Sequence, residues 1–430
     1  MRTAVLSLAL SGFLLANLVG CKDDSNSTDT PQLSNKALLG EKLYADKNLS
    51  LNRTQSCATC HNPEHGFIDE RTNDASRDTG HGLVASAGSL GDNQISIGDR
   101  NAPTAAYAAF SPEFHQGTRE RSIVLQRFGA YQGFIGGQFW DGREADLKGQ
   151  AGGPPTNPDE MAMPSKAAVV ERLLEDDAYV AGFEYVYGAD IFNDVENAYL
   201  AMAESIGEFE KTEAFATFDS KYDRSLLDPT DPNYFDFGTI SAVETGRVLF
   251  FSSDFTCAAC HQSIPRAGVP REVFTSFEYH NIGIPENTAL RAINGATGPD
   301  EGLLNNPGVI AETEKGKFKA PTLRNAAVSA PYMHNGIFNE LETVIDFYQH
   351  GKERANSLDN GAAITLLNNP ETDLPWGAAE IPENISHTLL KGSITIRPVH
   401  KEGLICFIMS LTDARYEHLL DPAKVQNCGL

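Results

Sequence analysis

Two short runs of cysteine and histidine are the first residues in this chain whose types and spacing suggest chemistry. Each run is a Cys-x-x-Cys-His motif, and the second begins 200 positions after the first. This motif attaches c-type haem: the thiols add across the haem vinyl groups and the histidine supplies an axial nitrogen to the iron. The residues are Cys57, Cys60, His61, Cys257, Cys260 and His261.

Two other kinds of site use similar residues. A zinc site needs a second ligand pair at short spacing, which neither run has nearby. A redox dithiol has no use for the adjacent histidine. The sequence therefore predicts two covalently bound haem c groups.

The elements that precede the two motifs resemble each other. Ser34 opens a helical pattern before the first motif, and Ser241 opens one before the second, with Glu244 placed to complete a capping box. Both patterns contain Gly-x-x-Leu-aromatic shortly before the haem motif, at Gly40, Leu43, Tyr44 and at Gly246, Leu249, Phe250.

The parallel continues after each motif, because Ala-Pro-Thr follows at 102–104 and again at 320–322. The repeated order predicts two related domains rather than one domain with two cofactors. We expect a mainly α fold of two cytochrome c-like haem domains packed together, with few short strands. The predicted bounds are 34–227 for the N-terminal peroxidatic haem domain, 228–238 for a linker and 239–430 for the C-terminal haem domain.

Two further stretches have a distinct character. Residues 165–215 are rich in helical patterns, whereas the Gly- and Asn-rich 281–316 region is predicted to be a long surface loop. A functional lid is the alternative for the loop, and the sequence leaves both open.

The N-terminus is predicted to be an export signal. Residues 1–20 combine a basic start with a short apolar core, which is too short for a membrane-spanning helix. Leu18–Cys21 resembles a bacterial lipobox, so Cys21 is the predicted lipidation site, and 21–33 is a polar tether. An ordinary signal peptide with an incidental Cys21 is the alternative. We expect a periplasmic lipoprotein, anchored to the outer membrane rather than the inner one.

Cysteine count and net charge limit the environment and the partners. Seven cysteines, less Cys21 and the four haem thiols, leave Cys406 and Cys428, which could pair in an oxidising compartment or stay free. The net charge of -24 excludes nucleic acid as a partner and favours basic proteins. Beyond the signal no stretch is apolar enough to cross a membrane, so the lipid is the only expected contact with one.

One helix after the second motif contains a candidate haem ligand. Asn339 is predicted to cap it, with Glu342 three residues on and Gly351 as its stop. Tyr348 then shares an apolar face with Leu341, Val344 and Ile345. On periodicity alone Tyr348 is a core aromatic, and the ligand role is the alternative.

Several longer motifs now identify a resemblance that covers nearly all of the sequence after the signal. The chain resembles the bacterial di-haem cytochrome c peroxidase family. The resemblance rests on both haem motifs together with Arg-Asn-Ala-Pro-Thr at 100–104, Phe-Trp-Asp-Gly-Arg at 139–143, Asn-Pro-Asp-Glu-Met at 157–161 and Ala-Pro-Tyr-Met-His-Asn-Gly at 330–336.

The chain departs from ordinary family members at two positions. Fourteen residues after His334, where those members have a ligating Met, it has Tyr348, which marks the MauG-like and MbnH-like branch that oxidises residues of a partner protein. Seven residues before Arg100, where they have a His that caps the first haem, it has Asn93. The resemblance thus implies that Tyr348 ligates the second haem and that the first haem is open, although His81 could still swing in.

The resemblance also implies roles around the first haem. Glu160 would be the acid/base for peroxide cleavage, Gln150 would hydrogen-bond the bound peroxide, and Pro154 would shape the pocket. Trp140 would lie between the haems and carry electrons or holes. A surface loop for Glu160 and Gln150 and a core position for Trp140 are the plainer readings.

A calcium ion between the haems is implied as well. Its matching ligands are the Asn101 side chain and the backbone carbonyls of Ser329 and Pro331, and hard oxygen donors suit calcium. His334 is expected near the second haem, with a structural role as the alternative.

Together these observations predict a periplasmic di-haem peroxidase. It would reduce hydrogen peroxide at the N-terminal haem and draw electrons through the C-terminal haem from residues of a protein substrate. An ordinary cytochrome c peroxidase reduced by a small cytochrome or cupredoxin is the first alternative. A non-catalytic di-haem electron carrier is the second.

Overall fold

The computed structural model describes residues 34–74, 76, 85–262, 271–391 and 395–430, and Ser34–Leu430 form one unit. The predicted signal peptide, the tether, Cys21 and His81 lie outside the described residues. Within the described ranges, no helix combines the length and apolar character needed to span a membrane.

Helices provide most of the regular structure. They are α1 (Asn35–Ala45), α2 (Cys57–Cys60), α3 (Leu147–Ala151), α4 (Lys166–Leu173), α5 (Asp177–Tyr187), α6 (Val195–Glu210), α7 (Lys221–Ser225), α8 (Ala242–Phe250), α9 (Thr288–Asn294), α10 (Leu341–Asn360), α11 (His387–Leu390), α12 (Pro398–Met409) and α13 (Pro422–Cys428). The second haem motif begins with a 3-10 turn, Cys257–Ala259.

Within the part of the chain that the structure describes, strands are few and short, as predicted. They form three antiparallel pairs: β1 (His115–Arg119) with β2 (Tyr131–Ile135), β3 (Tyr279–His280) with β4 (Phe318–Lys319), and β5 (Asn368–Asn369) with β6 (Leu374–Pro375). In the first pair His115 lies opposite Ile135 and Arg119 opposite Tyr131.

The two Gly-x-x-Leu-aromatic motifs have the same packing role. A Cβ at Gly40 would overlap the Ser205 carbonyl oxygen, so the glycine lets α1 cross α6 with the backbones in contact. A Cβ at Gly246 would overlap the Gly403 carbonyl in the same way, where α8 crosses α12. The repeat predicted from sequence is therefore a repeat of helix crossings.

Each helix crossing belongs to its own hydrophobic core, and each core contacts one haem motif. The first core includes Leu43, Phe67, Met202 and Phe209 and packs against Cys57 and Ala58. The second includes Phe250, Phe274, Leu404 and Phe407 and packs against Cys257 and Cys260. The helix-rich character of 165–215 is confirmed by α4, α5 and α6. The domain bounds at 227 and 239 stay a prediction.

Buried polar pairs link segments that are far apart in sequence. Arg324 Nη1 lies 2.7 Å from Asp223 Oδ2, with both side chains at most 1% exposed. Tyr107 Oη donates to Asp413 Oδ1 at 2.6 Å. A buried ion pair is costly to break because removing one partner leaves the other charged and unpaired.

The predicted ends of α10 are wrong at both termini. Glu340, not Asn339, is the N-cap residue, and the backbone N–H groups of both residues donate to the Glu371 carboxylate. The helix passes through Gly351 and ends at Asn360, with Gly361 as its C-cap, because Gly351, Lys352 and Ala355 continue its buried face. Tertiary packing there outweighs the cost of about 1 kcal/mol for a glycine inside a helix.

The 281–316 region is not a plain surface loop. It contains α9 and buries Ile284, Leu290, Leu303 and Val309. The Ser241 prediction is half correct: its hydroxyl accepts from the Glu244 N–H at 3.0 Å, but the Glu244 carboxylate pairs with Arg247 instead of returning to Ser241.

The two cysteines outside the haem motifs form a disulfide. Cys406 in α12 and Cys428 in α13 are bonded to each other, and none of the four haem-motif cysteines takes part in a disulfide. The sequence left a free pair and a disulfide equally open, and the structure selects the disulfide.

Candidate active site

The predicted residues of the first haem site line one cavity of about 610 Å³. α2 carries the two thiols, and the segment from α3 to Met161 supplies the facing wall. The lining includes Cys57, Cys60, His61, Trp140, Gln150, Pro154 and Glu160. Residues that are up to 103 positions apart in the chain are therefore neighbours around one space.

Both haem-motif histidines have one ring nitrogen engaged in the same way. His61 Nδ1 lies 3.3 Å from the Phe67 carbonyl oxygen. His261 Nδ1 lies 3.3 Å from the Phe274 oxygen and 3.2 Å from the Pro321 oxygen. A carbonyl partner places the proton on Nδ1, so Nε2 keeps its lone pair for a metal. Together with two free thiols in the same cavity, this arrangement fits a haem c.

Glu160 lines the first cavity, and its side chain is half-buried. Burial raises the pKa of Glu160, although the Arg143 charge and a hydrogen bond from Asn157 act in the opposite direction. Its backbone N–H donates to Asn157 at 3.1 Å, and the Met161 N–H donates to the Pro154 carbonyl at 3.3 Å. The turn that begins at Pro154 thus fixes the segment that carries the carboxyl.

The second cavity, of about 330 Å³, contains the second haem motif and Tyr348. Tyr348 shares the lining with Cys257, Cys260 and His261, and α10 carries it there. Its hydroxyl has no hydrogen-bond partner among the described residues, and burial followed by the charges of Cys260 and Cys257 raises its pKa. The side chain is half-buried, and its hydroxyl opens onto the cavity instead of being enclosed by protein. A phenol in that position, without a partner in the protein, fits an iron ligand.

Trp140 lines both cavities. Its indole Nε1 donates to the Asn101 carbonyl at 2.8 Å, and the Asn101 N–H donates to the His334 carbonyl at 2.8 Å. Trp140 therefore lies in the walls of both candidate haem sites, and its role as an electron carrier stays a prediction.

Asn93 lies away from the first cavity. Its side chain is exposed, and its Oδ1 accepts from the N–H groups of Ile95 and Ser96 at 2.9 and 2.8 Å. It closes a turn of its own loop and is not part of the described cavity lining.

The three candidate calcium ligands all line the second cavity: Asn101, Ser329 and Pro331. Among the described residues, no N–H or O–H group donates a hydrogen bond to the side-chain oxygen of Asn101 or to the carbonyl oxygens of Ser329 and Pro331. Unpaired oxygen donors at a cavity wall are the ligand type that calcium uses.

His334 also lines the second cavity, and it is 4% exposed. Its ring stacks on Phe318 with the centroids 3.6 Å apart. Burial lowers the pKa of His334 to about 3, and its Nε2 has no described hydrogen-bond partner. It is therefore a neutral donor or acceptor beside the second haem site.

The motif residues Arg100, Asp141 and Arg143 have no role predicted from sequence, and in the structure they form ion pairs. Arg100 donates to Asp141 at 2.7 Å and to Asp300 at 2.6 Å, and Arg143 lies 3.0 Å from Asp141. These ion pairs fix the Phe139–Arg143 segment, and thus Trp140, against the 281–316 region. The charged residues in both motifs were the signal that could have revealed them.

Two ionisable residues at the cavities belong to none of the motifs and were missed. Glu210 on α6 lines the first cavity, and burial raises its pKa to about 8. Lys319 on β4 lines the second cavity, and burial lowers its pKa to about 7, with Asp141 acting in the opposite direction. Neither was detectable because isolated charged residues in a sequence are usually exposed.

Comparisons with known proteins agree with this geometry. The profile of the family "Di-haem cytochrome c peroxidase" matches residues 34–231. The methylamine utilization protein MauG of Paracoccus denitrificans is 42% identical over 390 residues, which are 90% of this chain and 91% of that protein. The cytochrome c peroxidase Ccp of Escherichia coli is 32% identical over 75% of this chain and 55% of its own length.

A solved structure shows the same fold. The diheme peroxidase BthA from Burkholderia thailandensis superposes with a TM-score of 0.67 over 91% of this chain and 90% of its own, at 24% identity. The mainly helical fold with cytochrome c-like haem domains is thereby confirmed.

The chain belongs to the di-haem cytochrome c peroxidase family. It is accordingly a haem peroxidase, an oxidoreductase that acts on hydrogen peroxide and carries two haem c groups. The two cavities, each with two free thiols and an engaged histidine, are where those groups fit.

Proposed function

We propose that this peroxidase is a MauG-like enzyme, which reduces peroxide at its first haem site and withdraws the electrons, through its second, from residues of a protein substrate. The observation that carries the proposal is Tyr348, a phenol without a described hydrogen-bond partner in the second cavity. Similarity to MauG over nine-tenths of the chain supports it. The first site comprises Cys57, Cys60 and His61, and the second comprises Cys257, Cys260, His261 and Tyr348.

The first site has the groups that peroxide reduction needs. Bound haem supplies the redox-active iron, and the overall change is H₂O₂ plus two protons and two electrons to two H₂O. Glu160, as its carboxylate, takes the proton from the inner peroxide oxygen and returns it to the outer one. Gln150 holds the peroxide by hydrogen bonding, and Pro154 limits the space beside it.

Trp140 is the proposed electron carrier between the sites, since it borders both cavities. As a phenolate, Tyr348 would be a harder, more anionic donor than a thioether and would favour the oxidised state of a haem held in the second site. The second site would then be the one through which electrons are drawn from a substrate at a distance.

A calcium ion is proposed at Asn101, Ser329 and Pro331, on the strength of their unpaired oxygens at the second cavity. Metal analysis of the purified holoprotein is expected to find one calcium per chain. Chelation is expected to lower the activity. Adding calcium back is expected to restore the activity, whereas adding magnesium is not. Full activity in a calcium-free protein would contradict the assignment.

The proposed location is the periplasm, with Cys21 as the lipid anchor to the outer membrane. The Cys406–Cys428 disulfide supports an oxidising compartment. Radiolabelled palmitate incorporation in cells is expected for the native chain and lost in Cys21→Ala.

The test uses the fully ferric holoprotein and one equivalent of peroxide. We expect a high-spin haem at rest and then loss of both ferric EPR signals with a near-infrared inter-haem band. Tyr348→Phe should abolish that response and the oxidation of a protein substrate. Tyr332→Phe is the matched control, because Tyr332 also lines the second cavity but donates to the Ala326 carbonyl.

A second candidate follows from the similarity to Ccp. An ordinary cytochrome c peroxidase, reduced by a small cytochrome or cupredoxin, would react with peroxide only after one-electron reduction. That outcome, together with unchanged peroxide turnover in one-electron-reduced Tyr348→Phe, would replace the MauG-like proposal.

A further inference from the structure

Asp92 is a buried carboxylate whose partners all come from a different segment of the chain. It is 1% exposed. Its Oδ2 accepts from the Asn52 N–H at 2.6 Å, and its Oδ1 accepts from the Thr54 N–H at 3.2 Å and the Thr54 hydroxyl at 2.6 Å. No lysine or arginine in the described ranges pairs with it, so hydrogen bonds alone stabilise the charge.

Those hydrogen bonds keep the group ionised. Burial by itself would raise the pKa of Asp92, but the bonds from Thr54 and Asn52 outweigh it and lower the pKa. The charged form, with its two acceptor oxygens, is therefore the one present at neutral pH.

The backbone of the same residue contacts the segment that carries Glu160. The Asp92 N–H donates to the Glu160 carbonyl at 2.7 Å, and the Leu51 N–H donates to the Met161 carbonyl at 2.9 Å. Gly91 lies so close that a Cβ there would be 2.6 Å from the Asp159 carbonyl oxygen. Residues 50–55, 90–92 and 159–161 therefore form one interlocked set of backbones.

The partner segment of Asp92 leads directly into the first haem motif. The Gln55 side-chain amide donates to the Leu90 carbonyl, and Cys57 follows two residues later. The Asp92 carboxylate thus binds the segment that leads into the haem-attachment motif, and the Asp92 backbone N–H binds the Glu160 carbonyl.

We propose that Asp92 is a positioning residue that sets the place of the Glu160 carboxyl relative to the first haem-attachment motif. This inference rests on the proposed role of Glu160 as acid/base. The physical basis is the effect of replacing the Asp92 carboxylate with an amide. One of the two acceptor oxygens would become an NH₂ donor that faces the N–H or hydroxyl donors of Asn52 and Thr54, and the two segments would have to move apart. A shift of about 1 Å at a catalytic group can cost roughly 100-fold in rate.

The experiment compares Asp92→Asn with Glu160→Gln and with Asp194→Asn in the holoprotein, each checked for two haems per chain. Asp194 is the matched control, since it caps α6 by accepting from the Asn197 N–H and does not line the first cavity. Thr54→Val is the milder variant, because it removes only the hydroxyl that donates to Asp92. Peroxide reduction is measured as kcat and KM across pH.

We expect Asp92→Asn to lower kcat at least about tenfold with little change in KM, and Thr54→Val to lower it less. The acidic limb of the pH profile of kcat should move to lower pH in Asp92→Asn and in Thr54→Val. A loosened segment admits water to Glu160, and water stabilises the carboxylate and so lowers its pKa. Asp194→Asn should lower Tm without moving the limb. An unmoved limb and unchanged kcat in Asp92→Asn, beside an inactive Glu160→Gln, would overturn the inference. An active Glu160→Gln would overturn the proposed role of Glu160 instead.

Discussion

Glu160 shows how position within the fold changes the chemistry of an ordinary residue. In its cavity, removal from water disfavours the carboxylate more than Arg143 and Asn157 favour it, so its pKa is raised. A base with a raised pKa binds the peroxide proton more strongly than an exposed glutamate would. Burial raises the pKa of Tyr348 as well, so the proposed iron ligation would have to favour the phenolate in a site where burial disfavours it.

The first prediction concerns pH. Because only the carboxylate can accept a proton, kcat/KM should rise with pH through the raised pKa of Glu160, at a pH above the ordinary glutamate value of about 4.3. Glu160→Gln should remove this limb and lower kcat/KM by roughly 10²–10⁴-fold. Glu171→Gln, at an exposed position on α4, should leave both unchanged. A limb retained in Glu160→Gln would assign the base to another group.

At the scale of elements, two helix crossings determine where the haem motifs lie. α1 crosses α6 at Gly40 and α8 crosses α12 at Gly246, and each crossing supports the core against which a motif packs. Alanine is intrinsically better than glycine in a helix by about 1 kcal/mol. The overlap with the facing carbonyl opposes that gain, and overpacking of this kind costs about 1–3 kcal/mol or more.

The second prediction follows from that difference. Gly246→Ala should destabilise the holoprotein and reduce occupancy of the second haem while sparing the first. The measurements are the free energy of unfolding and the haem content of each site by absorbance and peptide mapping. Val248→Ala is the control because Val248 is 56% exposed on the same helix. An unchanged free energy of unfolding in Gly246→Ala would mean that α8 and α12 can move apart to accommodate the added methyl group without cost.

The third prediction concerns the link between α12 and α13. The Cys406–Cys428 bond closes a segment with a sequence separation of 22 residues. Losing it should cost about 2–4 kcal/mol through greater freedom of the unfolded chain. Cys428→Ser should lower Tm, and reduction of the native protein should lower it equally. An unchanged Tm after confirmed reduction would show that the bond contributes nothing to stability.

The whole molecule is strongly acidic, with a net charge of -24. Part of this charge lies on exposed carboxylates along the segment from α4 to α6, at Glu171, Asp176, Asp177, Glu184, Asp190 and Asp194. A field of one sign steers partners of the opposite sign and repels those of its own.

The fourth prediction is therefore a salt dependence. Association with a small basic cytochrome should slow roughly tenfold or more between about 0.01 and 0.15 M ionic strength, since screening shortens from about 30 Å to about 8 Å. Stopped-flow reduction kinetics measure this rate. An acidic cupredoxin is the control and should associate faster, not slower, as salt is added. A rate independent of salt would exclude steering by the acidic surface.

The sequence by itself determined the features that depend on local spacing. Cys-x-x-Cys-His fixes a haem-attachment geometry within five residues, and the repeated glycine and Ala-Pro-Thr motifs indicated two related halves. The helical stripe that carries Tyr348 was also readable, because its period is set by the backbone. The ends of α10 were not, since Glu371 and the packing around Gly351 come from elsewhere in the chain.

Only the tertiary structure decided which distant segments meet. It brought Glu160 into the same cavity as Cys57, placed Trp140 in the walls of both cavities and joined Cys406 to Cys428. It also showed that Asp92 connects the first haem motif to the Glu160 segment. Contacts of this kind depend on packing between remote parts of the chain, which a pattern of neighbouring residues does not encode.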